Sequence, residues 1–334
     1  MAKVLVTGAN GFIGSNLCRR LAAVGDDVTG LVRRGGRTRF LHGLDNLDVV
    51  EGDITHRASL RSVMGGIEIV YHVAGHVSDW GPWEAFRAGN VDGVVDVVET
   101  ARSAGVRRIV HLSSVSVYGF PGGVDIAEEA PPTPRPRDRH VTTKAQGERL
   151  ALSYNRRGIE VTAIRPGTVY GPHDHTTMAK LAPALESGRF AFVNAGRCLM
   201  SPCYVDNLVD VMRRAAKTPE APGQIFNAAD SGRVTWRRFI GWICEDLERP
   251  PPRLSVPAAF IRPLGAMVEA AGRAAGMRES PPIDNYRIRA VAADSHYSTA
   301  KAARILGARD AVHTREGVRR AVAWYRMAKQ NGDL

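Results

Sequence analysis

The feature that most constrains this chain is its first twenty-one residues. Lys3 to Thr7 form a short apolar run, Thr7 to Gly14 read T-G-A-N-G-F-I-G, and Phe12, Leu17 and Leu21 then recur at helical spacing. A strand therefore runs through a glycine turn straight into a helix. Gly8 permits the tight turn, Gly11 lets a pyrophosphate approach the backbone, and Gly14 allows close packing of helix on strand. The helix N-terminus adds free N–H groups for an anion. The context, more than the glycine triplet itself, points to a dinucleotide site.

Further strands are expected at 27–32, 47–50, 67–73, 108–113 and 160–165, with helices between them. That alternation predicts an α/β fold with a doubly wound parallel sheet. One intervening helix is expected to bury Val91, Val94, Val95 and Val98. Beyond about residue 170, prolines at 172, 183, 202, 219 and 222 divide the chain into shorter pieces. The expected division is a cofactor domain over 1–170 and a substrate lobe over 171–334, with some later segments returning to the first part. A helix over 257–275 carries Phe260, Leu264, Met267/Val268 and Ala271 on one side, which is expected to pack on the lobe rather than meet a membrane. Thr314 is the expected N-cap of a last helix bearing Val318, Val322 and Tyr325.

Composition excludes other classes. The 334 residues are 44% hydrophobic and 24% charged, unlike a disordered chain or a coiled-coil rod. No apolar run approaches bilayer length and Met1-Ala2-Lys3 leads into a strand, so a cytoplasmic protein without membrane insertion is expected. The net charge of +11 is carried by basic residues in scattered pairs rather than in one aromatic-interleaved stripe, which argues against nucleic acid. Cys18, Cys198, Cys203 and Cys244 contain no CxxC spacing and are expected to be free thiols. His173-Asp174-His175 lacks further ligands, so no metal is expected.

The glycine segment resembles that of the extended short-chain dehydrogenase/reductase family. Other stretches match it as well: Gly52-Asp53-Ile54, His72-Val73-Ala74-Gly75, Asn90-Val91-Asp92-Gly93, L-S-S-V-S-V-Y-G (112–119), R-P-G-T-V-Y-G-P (165–172) and Y-V-D-N (204–207). The resemblance implies a Rossmann fold and cofactor contacts from Gly8, Asn10, Gly11, Phe12, Ile13, Gly14, Asp53, Ile54, Ala74, Gly75, Lys144 and Pro166. An acidic residue ending the second strand would mark NAD, but Val32 stands there, followed by Arg33 and Arg34. Guanidinium forks suit a 2′-phosphate, so NADP is expected, with NAD the alternative and a solvated arginine pair the plainer reading.

The family's active site joins Ser to a YxxxK pair on one helix face. Ser114 matches the serine, Lys144 the lysine, and Asn90 the asparagine that supports the lysine. The tyrosine position is His140. A histidine titrates near about 6.5 and a neighbouring cation lowers that, so His140 is expected to be mostly neutral at pH 7. Neutral imidazole accepts a proton well and donates one poorly. Three readings stay open: an oxidoreductase with His140 in the tyrosine's place, a non-redox lyase, isomerase or cyclase on the same scaffold, and a catalytically silent dinucleotide-binding protein. Tyr118 and Tyr154 are the nearest phenols, and neither has the tyrosine's offset from Lys144.

Met200 stands where nucleotide-sugar members of the family carry an arginine, which argues against a nucleotide-sugar substrate. The pattern is more similar to the NAD-dependent epimerase/dehydratase and 3β-hydroxysteroid dehydrogenase-like branch, whose substrates include apolar, polycyclic alcohols and ketones. His76, Ser78, Trp80, Ser114, Thr168, His173 and Met200 are expected on the substrate side, with Trp80 stacking on a ring or packing an interdomain seam. The resemblance also implies a homodimer, an arrangement common in the family.

Overall fold

The structure is a computed structural model that describes residues 1–334 except 79, 136–137, 278–279 and 282–283. Positions 136–137, within the Arg/Pro-rich stretch 131–139 that reads as an exposed loop in the sequence, and Asp79, just before Trp80, thus lie outside the described residues.

Seven parallel strands form the central sheet: β1 (Lys3–Thr7), β2 (Asp27–Val32), β3 (Leu47–Glu51), β4 (Ile69–His72), β5 (Arg108–Leu112), β6 (Glu160–Pro166) and β7 (Ile225–Ala228). Their order is β7-β6-β5-β4-β1-β2-β3. The expected strands are present, and the seventh, a four-residue strand behind Pro222 and Gly223, is an addition from the C-terminal half. β4 and β5 are buried along their whole length, as a sheet covered on both faces requires.

The principal helices are α1 (Phe12–Ala23), α2 (Gly93–Ser103), α3 (Arg139–Ser153), α4 (Val205–Lys217), α5 (Trp236–Leu247), α6 (Ala258–Ala274), α7 (Asn285–Ala292) and α8 (Thr314–Gln330). One face of the sheet packs on Leu17 and Leu21 of α1 and Leu208 and Met212 of α4. The other packs on Val94, Val97, Val98 and Ala101 of α2. A third core joins Phe239, Ile240 and Ile243 of α5 to Val318, Val322 and Tyr325 of α8. No helix among the described residues is long and apolar enough to cross a membrane.

Three local expectations are corrected. A π-helical turn over Ala88–Asp92 widens the coil ahead of α2, so Val97 and Ala101 join Val94 and Val98 in the core while Val91 and Val95 are only half-buried. Thr314 is the first residue of α8 rather than its cap: His313 holds the cap position, and the Thr314 hydroxyl turns inward to donate to Asp230. On α6, Phe260, Leu264, Met267 and Ala271 face outward. Its packed side is Ala258, Ile261, Gly265 and Gly272, where the missing side chains let Ile288 of α7 approach Gly265 and Trp80 approach Gly272.

Candidate active site

The sheet order reverses between β1 and β4, and ligands of doubly wound sheets bind at such a switch point, beyond the carboxyl ends of the strands. The register aligns those ends, with Thr7 opposite His72 and His72 opposite His111. Gly8 leaves β1 at φ +68°, and a Cβ there would lie 2.9 Å from Ala74 Cα. A Cβ on Gly14 would lie 2.1 Å from the Gly8 carbonyl oxygen. The Thr7 hydroxyl accepts from the Val73 and Ala74 N–H groups, which holds the two loops together. Gly11 caps α1, so the Phe12 and Ile13 end of that helix opens toward the glycine turn, with no acid in its first turn. This cradle fits a dinucleotide phosphate on its own geometry.

At the end of β2, Val32 is buried and Arg33 and Arg34 are exposed. The Asn10 side chain packs against the same loop, 2.5 Å from where a Gly36 Cβ would stand. Asp53 accepts from the Thr55 N–H and hydroxyl. Burial raises the Asp53 pKa, but those bonds and the charges of His56 and Arg33 outweigh it and hold the carboxyl below its ordinary value. Ile54 packs under Gly93 at the start of α2.

Lys144 is buried, and its Nζ donates to the Leu112 carbonyl at 2.9 Å. Burial pushes its ammonium down to about 8, against the opposing pull of Glu148. Ser114 follows two residues after that carbonyl, and its Oγ accepts from the Ser116 N–H. A Cβ on Gly75 would lie 3.0 Å from Asn90 Oδ1 and 3.3 Å from Lys144 Nζ, so Gly75, Asn90 and Lys144 share one recess. The Asn90 side chain accepts from the His76 N–H and donates to the His76 carbonyl, which fixes that loop. His140 lies one turn before Lys144 in α3, and its ring meets Tyr286 edge-on at 6.3 Å between centroids. Behind Lys144, the buried His72 imidazole is pushed down to about 3 by burial and then by the Lys144 charge.

His140 opens onto a cleft shared with Trp80, Phe86, Asp138, Arg139, Glu269, Arg273, Asp284 and Tyr286. Trp80 bridges the two halves of the chain: its indole donates to the Met277 carbonyl at 2.6 Å, and Arg273 lies 4.7 Å over its ring. The Ser78 hydroxyl bonds the Trp80 backbone, and His76 packs edge-on against Phe86. Burial, with Arg33 nearby, holds the His76 imidazole below its ordinary value. Thr168 and Pro166 flank Gly167 at the end of β6, where the Thr168 N–H donates to the Ser201 carbonyl.

Two expected substrate residues stand elsewhere. Met200 is buried in the α5–α8 core. His173 stacks on Phe40 at 4.1 Å and meets Trp324 edge-on, beside Ser15. Burial and then Arg19 push its imidazole down to about 4. The Asp174 carboxylate accepts from the N–H groups of Thr176, Thr177 and Met178, an ordinary turn. Of the phenols considered from the sequence, Tyr118 donates to Asn227 and Tyr154 to Glu99, whereas the Tyr286 ring stands beside His140 in the cleft. Glu269, Arg273, Asp284 and Tyr286 carry no sequence signal for the cleft, because no local spacing ties α6 and α7 to the glycine loop.

Cradle, lysine recess and cleft together define an enzyme of the dinucleotide-binding, doubly wound class. A family model for the NAD dependent epimerase/dehydratase family matches residues 4–229. The chain belongs to that family, and a nicotinamide dinucleotide is its cofactor. Among its relatives, a 2-alkyl-3-oxoalkanoate reductase of Shewanella oneidensis is 26% identical over 339 residues, covering 97% of this chain and 86% of its own length. A 4-hydroxy-2-methyl-3-oxo-4-farnesyl-3,4-dihydroquinoline-1-oxide ketoreductase of Stigmatella aurantiaca is 31% identical over 244 residues, 73% of this chain and 72% of its own. The crystal structure of gox2253 superposes with a TM-score of 0.82 at 24% identity, covering 100% of both chains, and shows the fold.

Proposed function

We propose that the protein is an NADP-dependent oxidoreductase for an apolar or polycyclic hydroxy or keto compound, with His140 in the position of the usual tyrosine. The observation that carries this reading is the recess in which Lys144 Nζ, Asn90 and Gly75 meet, one helical turn from His140 and beside Ser114. The bound dinucleotide supplies or removes a hydride. Lys144 binds its ribose and biases the local charge. Ser114 orients the substrate oxygen, and His140 takes the proton of that oxygen when an alcohol is oxidised and returns one to it when a ketone is reduced, directly or through a water. Arg33 and Arg34 take the 2′-phosphate, in keeping with a neutral Val32 at the end of β2.

Trp80, Phe86 and Tyr286 supply aromatic surface to the cleft among the charged Asp138, Arg139, Glu269, Arg273 and Asp284, and that surface suits a ring system or an alkyl chain. The two relatives named as reductases of alkyl and farnesyl ketones support the same substrate class. Single-turnover absorbance at the reduced nicotinamide band tests the reading. Loss of the band in step with ketone reduction is expected; conversion with a constant band would replace it with non-redox chemistry.

A further inference from the structure

The loop that leaves β2 with Arg33 and Arg34 turns at once on two glycines. Gly35 stands at φ +71°, and the Gly36 N–H donates to the Arg33 carbonyl at 2.9 Å. The Asn10 side chain of the glycine turn touches this loop at Gly36. A second hold comes a few residues on, at Phe40. Its ring lies flat on that of His173, with centroids 4.1 Å apart and planes 12° from parallel. Trp324 of α8 meets both rings edge-on, at 6.3 and 6.0 Å. Arg19 of α1 donates from Nε to the Phe40 carbonyl at 3.1 Å, and Arg39 pairs with Asp333 at 2.6 Å.

His173 is tied in turn to α1, the helix that opens from the glycine turn. Asn16 Nδ2 donates to the Pro172 carbonyl at 3.0 Å, and the Ser15 hydroxyl lies 3.4 Å from His173 Nδ1. The Ser15 N–H donates to the Gly11 carbonyl at 2.9 Å, so this contact sits one turn from the cradle. His173 takes φ +69°, a left-handed conformation that residues with a side chain seldom adopt. Such a conformation persists where the surroundings over-determine it, and it concentrates at functional sites. Here the surroundings are Phe40, Trp324 and α1.

Two anion-holding elements therefore meet at one aromatic stack. The glycine turn faces the pyrophosphate and the arginine loop the ribose 2′-phosphate, and a single nucleotide carries both groups. The separation of the two elements decides whether both are held at once, and a loop ordered in advance loses less freedom on binding. We propose that His173 and Phe40 are positioning residues for the cofactor: their stack fixes the arginine loop against α1, at the distance from the glycine turn that a 2′-phosphorylated dinucleotide spans. The inference rests on the NADP reading above. It gives His173 a role on the cofactor side of the sheet, away from the cleft at His140.

Calorimetric titration of the full chain with NADPH, NADH and adenosine 2′,5′-bisphosphate tests it. Phe40→Ala and His173→Ala are each expected to weaken NADPH and the bisphosphate by about fivefold to tenfold, with NADH changed by less than about twofold. His173→Phe keeps a ring on Phe40 and should stay within about threefold of the parent. Where an alanine variant fails to fold, Phe40→Leu removes the stack and keeps the apolar contact. Unchanged NADPH affinity in the stack variants would overturn the proposal. So would equal losses for NADPH and NADH, or a His173→Phe variant as weak as His173→Ala. R33A/R34A, titrated alongside, separates the two readings. If it leaves NADPH binding unchanged, the NADP reading fails and the positioning role falls with it; if it weakens NADPH and the stack variants do not, the positioning role alone fails.

Discussion

The Nζ of Lys144 donates a 2.9 Å hydrogen bond to the carbonyl oxygen of Leu112. That bond ties α3 to the end of β5 and sets the ammonium two residues from Ser114. Burial lowers the lysine from its ordinary 10.5 to about 8. Dinucleotide affinity is therefore expected to fall as pH rises through about 8, because the charge that binds the ribose is lost there. Stability should move the other way: between about 8 and 10.5 the unfolded chain binds more protons than the folded one, so unfolding free energy rises with pH. Calorimetric titration of the cofactor across this range checks the first effect, and Lys144→Met should abolish its pH dependence.

His140 shares the cleft with Tyr286 and Trp80. His140→Ala is expected to lower turnover by about tenfold or more, with cofactor affinity changed less than about threefold. Equal turnover in the variant would leave the imidazole without a chemical role.

Arg33 and Arg34 are exposed at the cofactor end of β2. The double variant R33A/R34A should weaken NADPH binding by about tenfold or more while NADH binding changes by less than about threefold. Fluorescence titration with both nucleotides measures the difference, and equal losses would show that the arginines do not read the 2′-phosphate.

Arg165 and Glu148 form a buried pair, 2.5 Å from Nη2 to Oε1 and 2.8 Å from Nε to Oε2. Glu148→Ala leaves a buried guanidinium without its counter-charge, so denaturant unfolding should show a loss of about 3–5 kcal/mol. A loss below about 1 kcal/mol would mean that water reaches Arg165.

Local patterns make much of this legible. Thr7 to Gly14 specify strand, turn and helix within one short stretch, and the spacing of His140 and Lys144 places both on one side of α3. Contacts between distant segments leave no such trace. Tyr286, Glu269 and Arg273 reach the cleft only because α6 and α7 fold back over Trp80. Periodicity finds the apolar stripe of α6 but cannot tell which side faces protein; Gly265 and Gly272 decide that by letting neighbours approach. Offsets within motifs put Met200 and His173 on the substrate side, whereas tertiary packing seats them in other clusters.

The most direct test of the central claim is the fate of the hydride. Reduced cofactor carrying deuterium at C4 of the nicotinamide, on the transferring face, is incubated with the enzyme and an apolar ketone, and the alcohol is analysed by mass spectrometry. Deuterium on the carbinol carbon is the predicted result. Product formed without deuterium from either face of the labelled cofactor would contradict it.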